Sequence, residues 1–216
     1  MKLIDSFGPN PRVVRMFMAE KGLTLPREEV DLLGGENRQE AYLKKNPGGQ
    51  LPALQLDDGT YVAETAVICE YLEEKHPTPT LIGRTAEERA LARTWQRRVE
   101  LNITENIYNG FRFSEGYELF KNRVHCIPAA AADLKATAQE WLQKVDGLLG
   151  EQPYICGNEL RFVDITLYCC MDFAKDVGQP LNPGLKKIGA WFERMNARPS
   201  ATASLHPAWQ QVKMRG

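Results

Sequence analysis

The spacing of apolar residues changes character about a third of the way along this chain. Up to about residue 76 it switches every few residues between a strand period and a helix period. Lys2-Leu3-Ile4-Asp5 predicts a first strand. Val13, Val14, Phe17 and Met18 predict a helix that stops at Gly22. Glu28-Glu29-Val30-Asp31 predicts a second strand, polar enough to sit at a sheet edge. Ala53-Leu54-Gln55-Leu56 and Thr60-Tyr61-Val62 flank Asp57-Asp58-Gly59 and predict a hairpin with an Asp-Gly turn. A helix then runs from Glu64 towards Lys75, with Val67, Ile68, Tyr71 and Leu72 as its buried stripe. The pattern is that of a small α/β unit.

His76-Pro77-Thr78-Pro79-Thr80 breaks this pattern twice and reads as a linker. Everything from Thr85 onward has helical spacing. Thr85-Ala86-Glu87-Glu88 is a capping box, in which hydroxyl and carboxylate satisfy the orphan N–H groups of a helix start. Leu91, Trp95, Val99, Ile103 and Ile107 recur every four residues and predict one long helix with an apolar ridge. A second long helix is expected over 128–149, carrying Leu134, Trp141, Leu142, Val145 and Leu148; Pro128 suits its first turn. Further helices are expected over 163–177 and 185–197, with Arg198-Pro199 ending the last and a loosely held tail beyond.

Composition narrows the class of protein more than its chemistry. The 216 residues are 43% hydrophobic and 25% charged, enough apolar material for one large or two small domains. A net charge of -1 argues against nucleic acid as a partner. No run of about 18 apolar residues predicts a membrane-spanning helix, so no membrane partner is expected. Met1-Lys2-Leu3-Ile4-Asp5 turns polar too soon for a signal peptide, and the chain is expected to be cytoplasmic. The five cysteines, at 69, 126, 156, 169 and 170, form no C-x-x-C pair, so no metal site is expected. Cys69, Cys169 and Cys170 fall within helical patterns as small buried hydrophobes.

The chemistry lies in Asn46-Pro47-Gly48-Gly49-Gln50-Leu51-Pro52-Ala53-Leu54 and, after the hairpin, Ala63-Glu64-Thr65-Ala66. Leu51-Pro52 is a candidate cis bond, since only X-Pro bonds adopt cis at modest cost. Such a kink leaves the backbone of Leu51 free to pair with an extended ligand as a strand does. Thr65 opens a helix whose free N–H groups suit a carboxylate. In that order these features build a site for a small peptide.

These motifs, with the first strand and helix and Asp164 in the helical half, resemble the cytosolic glutathione transferase family, in a bacterial-type form. The resemblance covers nearly the whole chain. It implies an α/β plus all-α fold: a thioredoxin-like glutathione-binding domain at 1–76, a linker at 77–85 and a helical bundle domain at 86–216. It also implies glutathione as co-substrate and a homodimer. The implied reaction adds the glutathione thiolate to a small hydrophobic electrophile or reduces a hydroperoxide. By resemblance, Thr65 holds the γ-glutamyl carboxylate, Glu64 the ammonium, and Leu51 beside Pro52 pairs with the cysteinyl unit. Gln50 and Asn37 fall where relatives reach the glycyl end, though Asn37 reads equally well as an N-cap before Arg38-Gln39-Glu40. Tyr108, Phe111, Arg112, Phe113 and Tyr117 are the candidates for an electrophile pocket between the domains, with core packing the competing reading for Phe111 or Phe113.

Two departures from the family pattern stand out. Arg161 occupies the place of the Ser or Thr that caps the helix around Asp164, so half of that capping box is missing. In Ser6-Phe7-Gly8-Pro9-Asn10-Pro11-Arg12, Gly8 falls where relatives carry the serine or cysteine that activates the thiol. Ser6 falls where others carry tyrosine. Asn10, ahead of the helix, is the first candidate for activation and Ser6 the second. Gly8 also keeps open a non-catalytic protein of the same fold that binds glutathione or a partner protein.

Overall fold

The computed structural model describes residues 1–212; the last four residues of the expected helical half, 213–216, lie outside the described residues. Two compact units are present. The first holds Met1–Thr80 together with the segment from Pro199 onward, and the second is Leu81–Arg198.

In the first unit, strand β1 (Lys2–Asp5) leads into helix α1 (Pro9–Glu20), and β2 (Arg27–Glu29) returns parallel to β1. Helix α2 (Glu40–Leu43) is one turn long. Strands β3 (Ala53–Gln55) and β4 (Tyr61–Ala63) form the expected hairpin, and helix α3 (Thr65–Lys75) follows. The sheet order is β2-β1-β3-β4, with β3 antiparallel to both its neighbours. Polar β2 therefore is the edge strand its sequence predicts. The fold class is the thioredoxin-like one implied by the resemblance.

Two details differ from the sequence reading of this unit. On α3 the buried residues are Ile68, Cys69, Leu72 and Glu73, whereas Val67 is half-exposed. The buried carboxylate of Glu73 is met by the Lys21 ammonium at 2.6 Å, which also donates to the carbonyls of His76 and Pro79. A charge can sit inside this stripe because it arrives paired, and hydropathy alone does not reveal that. The second detail is the tail. Helix α10 (Pro199–Ala203) is tied to α1 rather than loosely held, and only the single turn α11 (Trp209–Val212) follows it among the described residues. The buried Arg12 donates to the Ala201 carbonyl at 3.1 Å and to Ser204 Oγ at 3.3 Å; Arg15 donates to the Ser204 carbonyl at 2.8 Å.

The second unit is helical: α4 (Ala86–Val99), α5 (Glu105–Arg112), α6 (Tyr117–Phe120), α7 (Ala131–Leu148), α8 (Phe162–Asp176) and α9 (Lys186–Asn196). Thr85 Oγ1 caps α4 by accepting the Glu88 N–H, while Glu88 reaches back to the N–H of Arg84. The expected long helix is one run broken by a wide π turn over Glu100–Thr104. Thr104, Asn102 and Asn106 side chains bond carbonyls in and around that turn. The ridge is a correction: Val99, Ile103 and Ile107 are buried, but Leu91 is exposed and Ala92 and Gln96 lie inside instead. A four-residue spacing drifts by about 40° per step around an α-helix, so it cannot stay on one face for four steps. Beyond α7 Leu149 is buried, while Leu148, expected inside, is exposed.

Asp164 anchors this unit. Its Oδ1 accepts from the Ile155 N–H and from Trp191 Nε1, each at 2.9 Å, and its Oδ2 accepts from the Arg161 N–H at 2.9 Å. The guanidinium of Arg161 cannot accept a bond, so only the carboxylate half of the capping box operates. Burial raises the Asp164 carboxyl to about 6 against these three donors.

Candidate active site

Strand register brings three chain segments to one end of the sheet. Ala53 faces Ile4 on one side and Ala63 on the other. The chain thus leaves β1 through Ser6, enters β3 through Leu51-Pro52 and leaves β4 through Glu64 at a common edge. Helices α1 and α3 both begin there.

The Leu51–Pro52 peptide is cis. The Leu51 side chain is buried with Ile4, Val30, Tyr42 and Ala53, and Pro52 is buried beside it. The Leu51 N–H and C=O have no partner among the described residues. A buried side chain thus anchors a backbone edge whose donor and acceptor are open, the arrangement that accepts an added strand.

Thr65 is the first residue of α3. The first bond of the helix is Ile68 N–H to Glu64 C=O at 2.9 Å, so the N–H groups of Thr65, Ala66 and Val67 precede it. Together with the Thr65 hydroxyl and the positive end of an 11-residue helix they make a set of donors suited to an anion. Glu64 is exposed and holds φ 69°, ψ 121°, the one non-glycine with positive φ among the described residues. Such a conformation costs about 1–3 kcal/mol and persists where the surroundings impose it.

Gln50 has an exposed side chain, while its carbonyl accepts from Tyr42 Oη at 2.5 Å and from Asn46 Nδ2 at 2.9 Å. Asn37 is buried and its Nδ2 donates to the Gly49 carbonyl at 2.6 Å. It sits inside the short turn Glu36–Arg38, whose N-cap is Gly35, so its reading as an N-cap is corrected. Its Nδ2 is turned onto the loop, and its Oδ1 has no partner. An acceptor oxygen does not hold a carboxylate, whereas the side chain of Gln50 is exposed and carries a donor amide.

Of the two activation candidates, Ser6 is turned inward. It is 1% exposed, and its hydroxyl donates to the Val30 carbonyl at 2.7 Å. Its N–H bonds Asp5 and its carbonyl accepts from Arg15. Every polar group of Ser6 is thus engaged inside the unit. Gly8 is the N-cap of α1 at φ 129°, ψ 161°, a region that only glycine enters without strain. A serine or cysteine at this position would carry that strain. Asn10 is half-buried, and its side-chain amide has no partner among the described residues. Pro9 and Pro11 on either side lack an N–H, so Asn10 supplies the only backbone donor of the first three helical residues.

The electrophile candidates lie in the second unit. Tyr108 is buried, with its ring edge-on to Phe173 at 5.9 Å. Burial, and then the neighbouring Cys170, pushes its phenol well above the usual range. Phe111 meets Phe120 and Phe173 edge-on at 6.0 and 5.3 Å. Arg112 lies over the Tyr108 and Phe120 rings and donates to Asn109. These residues form a packed aromatic cluster. Tyr108 is a core residue here rather than an open wall, because its polar end points inward. Phe113 is the half-buried C-cap of α5, and Tyr117 opens α6 at the surface.

The fold and site define a two-unit protein with a thioredoxin-like peptide-binding unit and a helical unit. The family model for the glutathione S-transferase N-terminal domain matches residues 7–75, and that for the C-terminal domain matches residues 128–199. Glutathione S-transferase 2 of Saccharomyces cerevisiae is 30% identical over 89% of this chain and 84% of its own length. Maleylacetoacetate isomerase of Pseudomonas aeruginosa is 31% identical over 92% of this chain and 88% of its own. The crystal structure of Gtt2 from Saccharomyces cerevisiae superposes with a TM-score of 0.89 at 30% identity, covering 95% of this chain and all of that one. The chain belongs to the glutathione S-transferase family, enzymes that use glutathione as co-substrate.

Proposed function

We propose that this enzyme binds reduced glutathione along Leu51 and conjugates its thiolate to small apolar electrophiles or uses it to reduce hydroperoxides. The observation that carries the reading is the convergence of an unpartnered Leu51 backbone, the open N-terminus of α3 and strained Glu64 at one end of one sheet. The cysteinyl unit pairs with Leu51 as an added strand. The γ-glutamyl carboxylate takes the Thr65 hydroxyl and the N–H groups behind it, and the ammonium faces Glu64. Gln50 reaches the glycyl carboxylate as a neutral donor, a weaker hold than a cation gives.

The reaction needs the thiolate, because the thiol is a poor nucleophile. Asn10, with its side-chain amide and backbone N–H at the positive end of α1, is the activator, and the engaged Ser6 hydroxyl is not. Catalytic turnover is tested with an aryl halide and a hydroperoxide as second substrates. Binding of glutathione without turnover on either supports the rival, a non-catalytic glutathione- or protein-binding member of the fold. The observation that favours this rival is Gly8, which offers no side-chain donor.

The enzyme works as a cytoplasmic homodimer in this reading. Among the described residues no helix is long and apolar enough to cross a membrane. Leu101 stands exposed beside Arg93 and Arg97 on the second unit, a mixed face suited to a partner copy. Gln96, by contrast, is turned inward to Thr166 and Glu100. Sedimentation at micromolar concentration should give twice the 24.4 kDa chain mass; a monomer alone would rule the dimer out.

A further inference from the structure

We infer that Tyr42 is a positioning residue for glutathione: through the Gln50 carbonyl it fixes the direction in which the Leu51 N–H points. The inference rests on the proposed pairing of Leu51 with the cysteinyl unit.

The argument is one of peptide geometry. The Gln50 carbonyl and the Leu51 N–H belong to the same peptide, which is trans. In a trans peptide these two bonds are coplanar and point in opposite directions. Whatever holds the oxygen on one side therefore aims the hydrogen on the other. Two side chains hold it: Tyr42 Oη at 2.5 Å and Asn46 Nδ2 at 2.9 Å. One residue earlier, Asn37 Nδ2 holds the Gly49 carbonyl at 2.6 Å.

The holders are themselves fixed. Tyr42 lies on the one-turn helix α2, and its ring is buried in the same cluster as the Leu51 side chain. Asn46 is buried and its Oδ1 accepts the Gly48 N–H at 3.1 Å. The Tyr42 phenol is pushed up to about 12 by burial, so it remains a donor across the working pH range. Two donors on one carbonyl also polarise the peptide and strengthen its N–H as a donor. The Leu51 carbonyl, in contrast, belongs to the next peptide, and Tyr42 does not aim it. Tyr42 thus acts on one half of the strand pairing: the bond from the Leu51 N–H to the cysteinyl carbonyl.

That asymmetry supplies the test. Glutathione is compared with γ-glutamylcysteamine, which keeps the head group and the amide N–H but has no cysteinyl carbonyl. Calorimetry on the full chain is run for wild type, Tyr42→Phe and Thr65→Ala. Tyr42→Phe keeps the buried ring, and its thermal unfolding is recorded alongside. The expected result is an about fivefold weaker affinity of Tyr42→Phe for glutathione, the scale of one hydrogen bond, and an unchanged affinity for γ-glutamylcysteamine. Equal losses for both ligands would mean a merely structural role and overturn the inference, as would no loss for either. Thr65→Ala separates the two levels of the argument. If it weakens both ligands while Tyr42→Phe weakens neither, the site stands and the positioning role falls. If it binds both as wild type does, the site reading falls and the positioning role falls with it.

Discussion

Helices α1 and α3 start at the same end of the same sheet, and both are entered through a residue with positive φ. At α1 that residue is Gly8, at φ 129°, where glycine pays no steric penalty. At α3 it is Glu64, at φ 69°, where a glycine would sit more easily than a glutamate. One entry has given up a side chain to relax the backbone; the other keeps its side chain against the backbone preference. The helix ends differ in the same sense. The first turn of α3 presents N–H groups from Thr65, Ala66 and Val67 and a hydroxyl. The first turn of α1 has lost two of its three N–H groups to Pro9 and Pro11 and keeps Asn10. A fully charged carboxylate needs the richer end. A thiol whose pKa must fall only by a unit or two needs the poorer one. In the proposed function, affinity belongs to α3 and chemistry to α1.

The largest effect that would break this division is at α3. Thr65→Ala removes a charge-assisted hydrogen bond of about 1.5–3 kcal/mol, so glutathione should bind at least about tenfold more weakly with the fold unchanged. An unaltered affinity by calorimetry would remove α3 as the carboxylate site. At α1 the effect should fall on protonation instead. Asn10→Ala should raise the pKa of bound glutathione by about one to two units and slow turnover at neutral pH by about tenfold. The sign follows from the state stabilised: losing a donor to the thiolate favours the thiol, so the rate lost at neutral pH returns as pH rises. Affinity should change little. Thiolate absorbance against pH reads the shift directly. Ser6→Ala should leave that titration where it is, because its hydroxyl bonds Val30. A shift in Ser6→Ala with none in Asn10→Ala would reverse the assignment.

This contrast was half legible in the sequence. Signals confined to a few residues carried through: the Asp57-Asp58-Gly59 turn, the strands on either side of it, and the start of α3 at Thr65. Period and turn chemistry are local properties, so a short window contains them. What a window does not contain is the partner of a polar group. Ser6 reads as an available hydroxyl until the Val30 carbonyl, 24 residues on, accepts its hydrogen bond. Asn37 reads as a cap or a ligand contact until the Gly49 carbonyl takes its amide. The tail reads as loose until Arg12 and Arg15 clasp it across 189 residues. Leu91 and Leu148 failed for another reason: their apolar neighbours one position on, Ala92 and Leu149, face the core instead, and Val67 lies just outside a stripe that Ile68 and Leu72 do fill.

Gly8 offers a sharper test of why α1 lacks a hydroxyl donor. A Cβ added there would meet only Pro11 Cδ, at 3.7 Å, so there is room for a side chain. The obstacle is φ, and Gly8→Ser should cost about 1–3 kcal/mol of stability by denaturant unfolding. It should not raise turnover, since relieving that strain would move the hydroxyl and the helix entry together. A stable, faster Gly8→Ser enzyme would mean that sequence history rather than backbone geometry removed the donor.

Glu64 gives the smallest effect and the most diagnostic one, because stability and binding should move in opposite directions. Glycine at position 64 relieves a strain of about 1–3 kcal/mol but adds about 0.5–1 kcal/mol of unfolded-state freedom. The net gain should be about 1 kcal/mol, seen as a rise of about 2–4 °C in Tm for a chain of this length. The same change removes the carboxylate proposed to face the γ-glutamyl ammonium. That pair lies at an exposed residue, so the loss should be modest, about fivefold in glutathione affinity. Glu64→Gln separates the two contributions: it keeps the strained backbone and discards the charge, so affinity should fall while Tm stays. If Glu64→Gly gains stability and binds glutathione as before, the strained glutamate serves something other than the ligand, and the contrast between the two helix entries loses its functional meaning. If Glu64→Gly loses stability instead, the positive φ is held by contacts of the side chain, and Glu64 belongs to the architecture of the hairpin end.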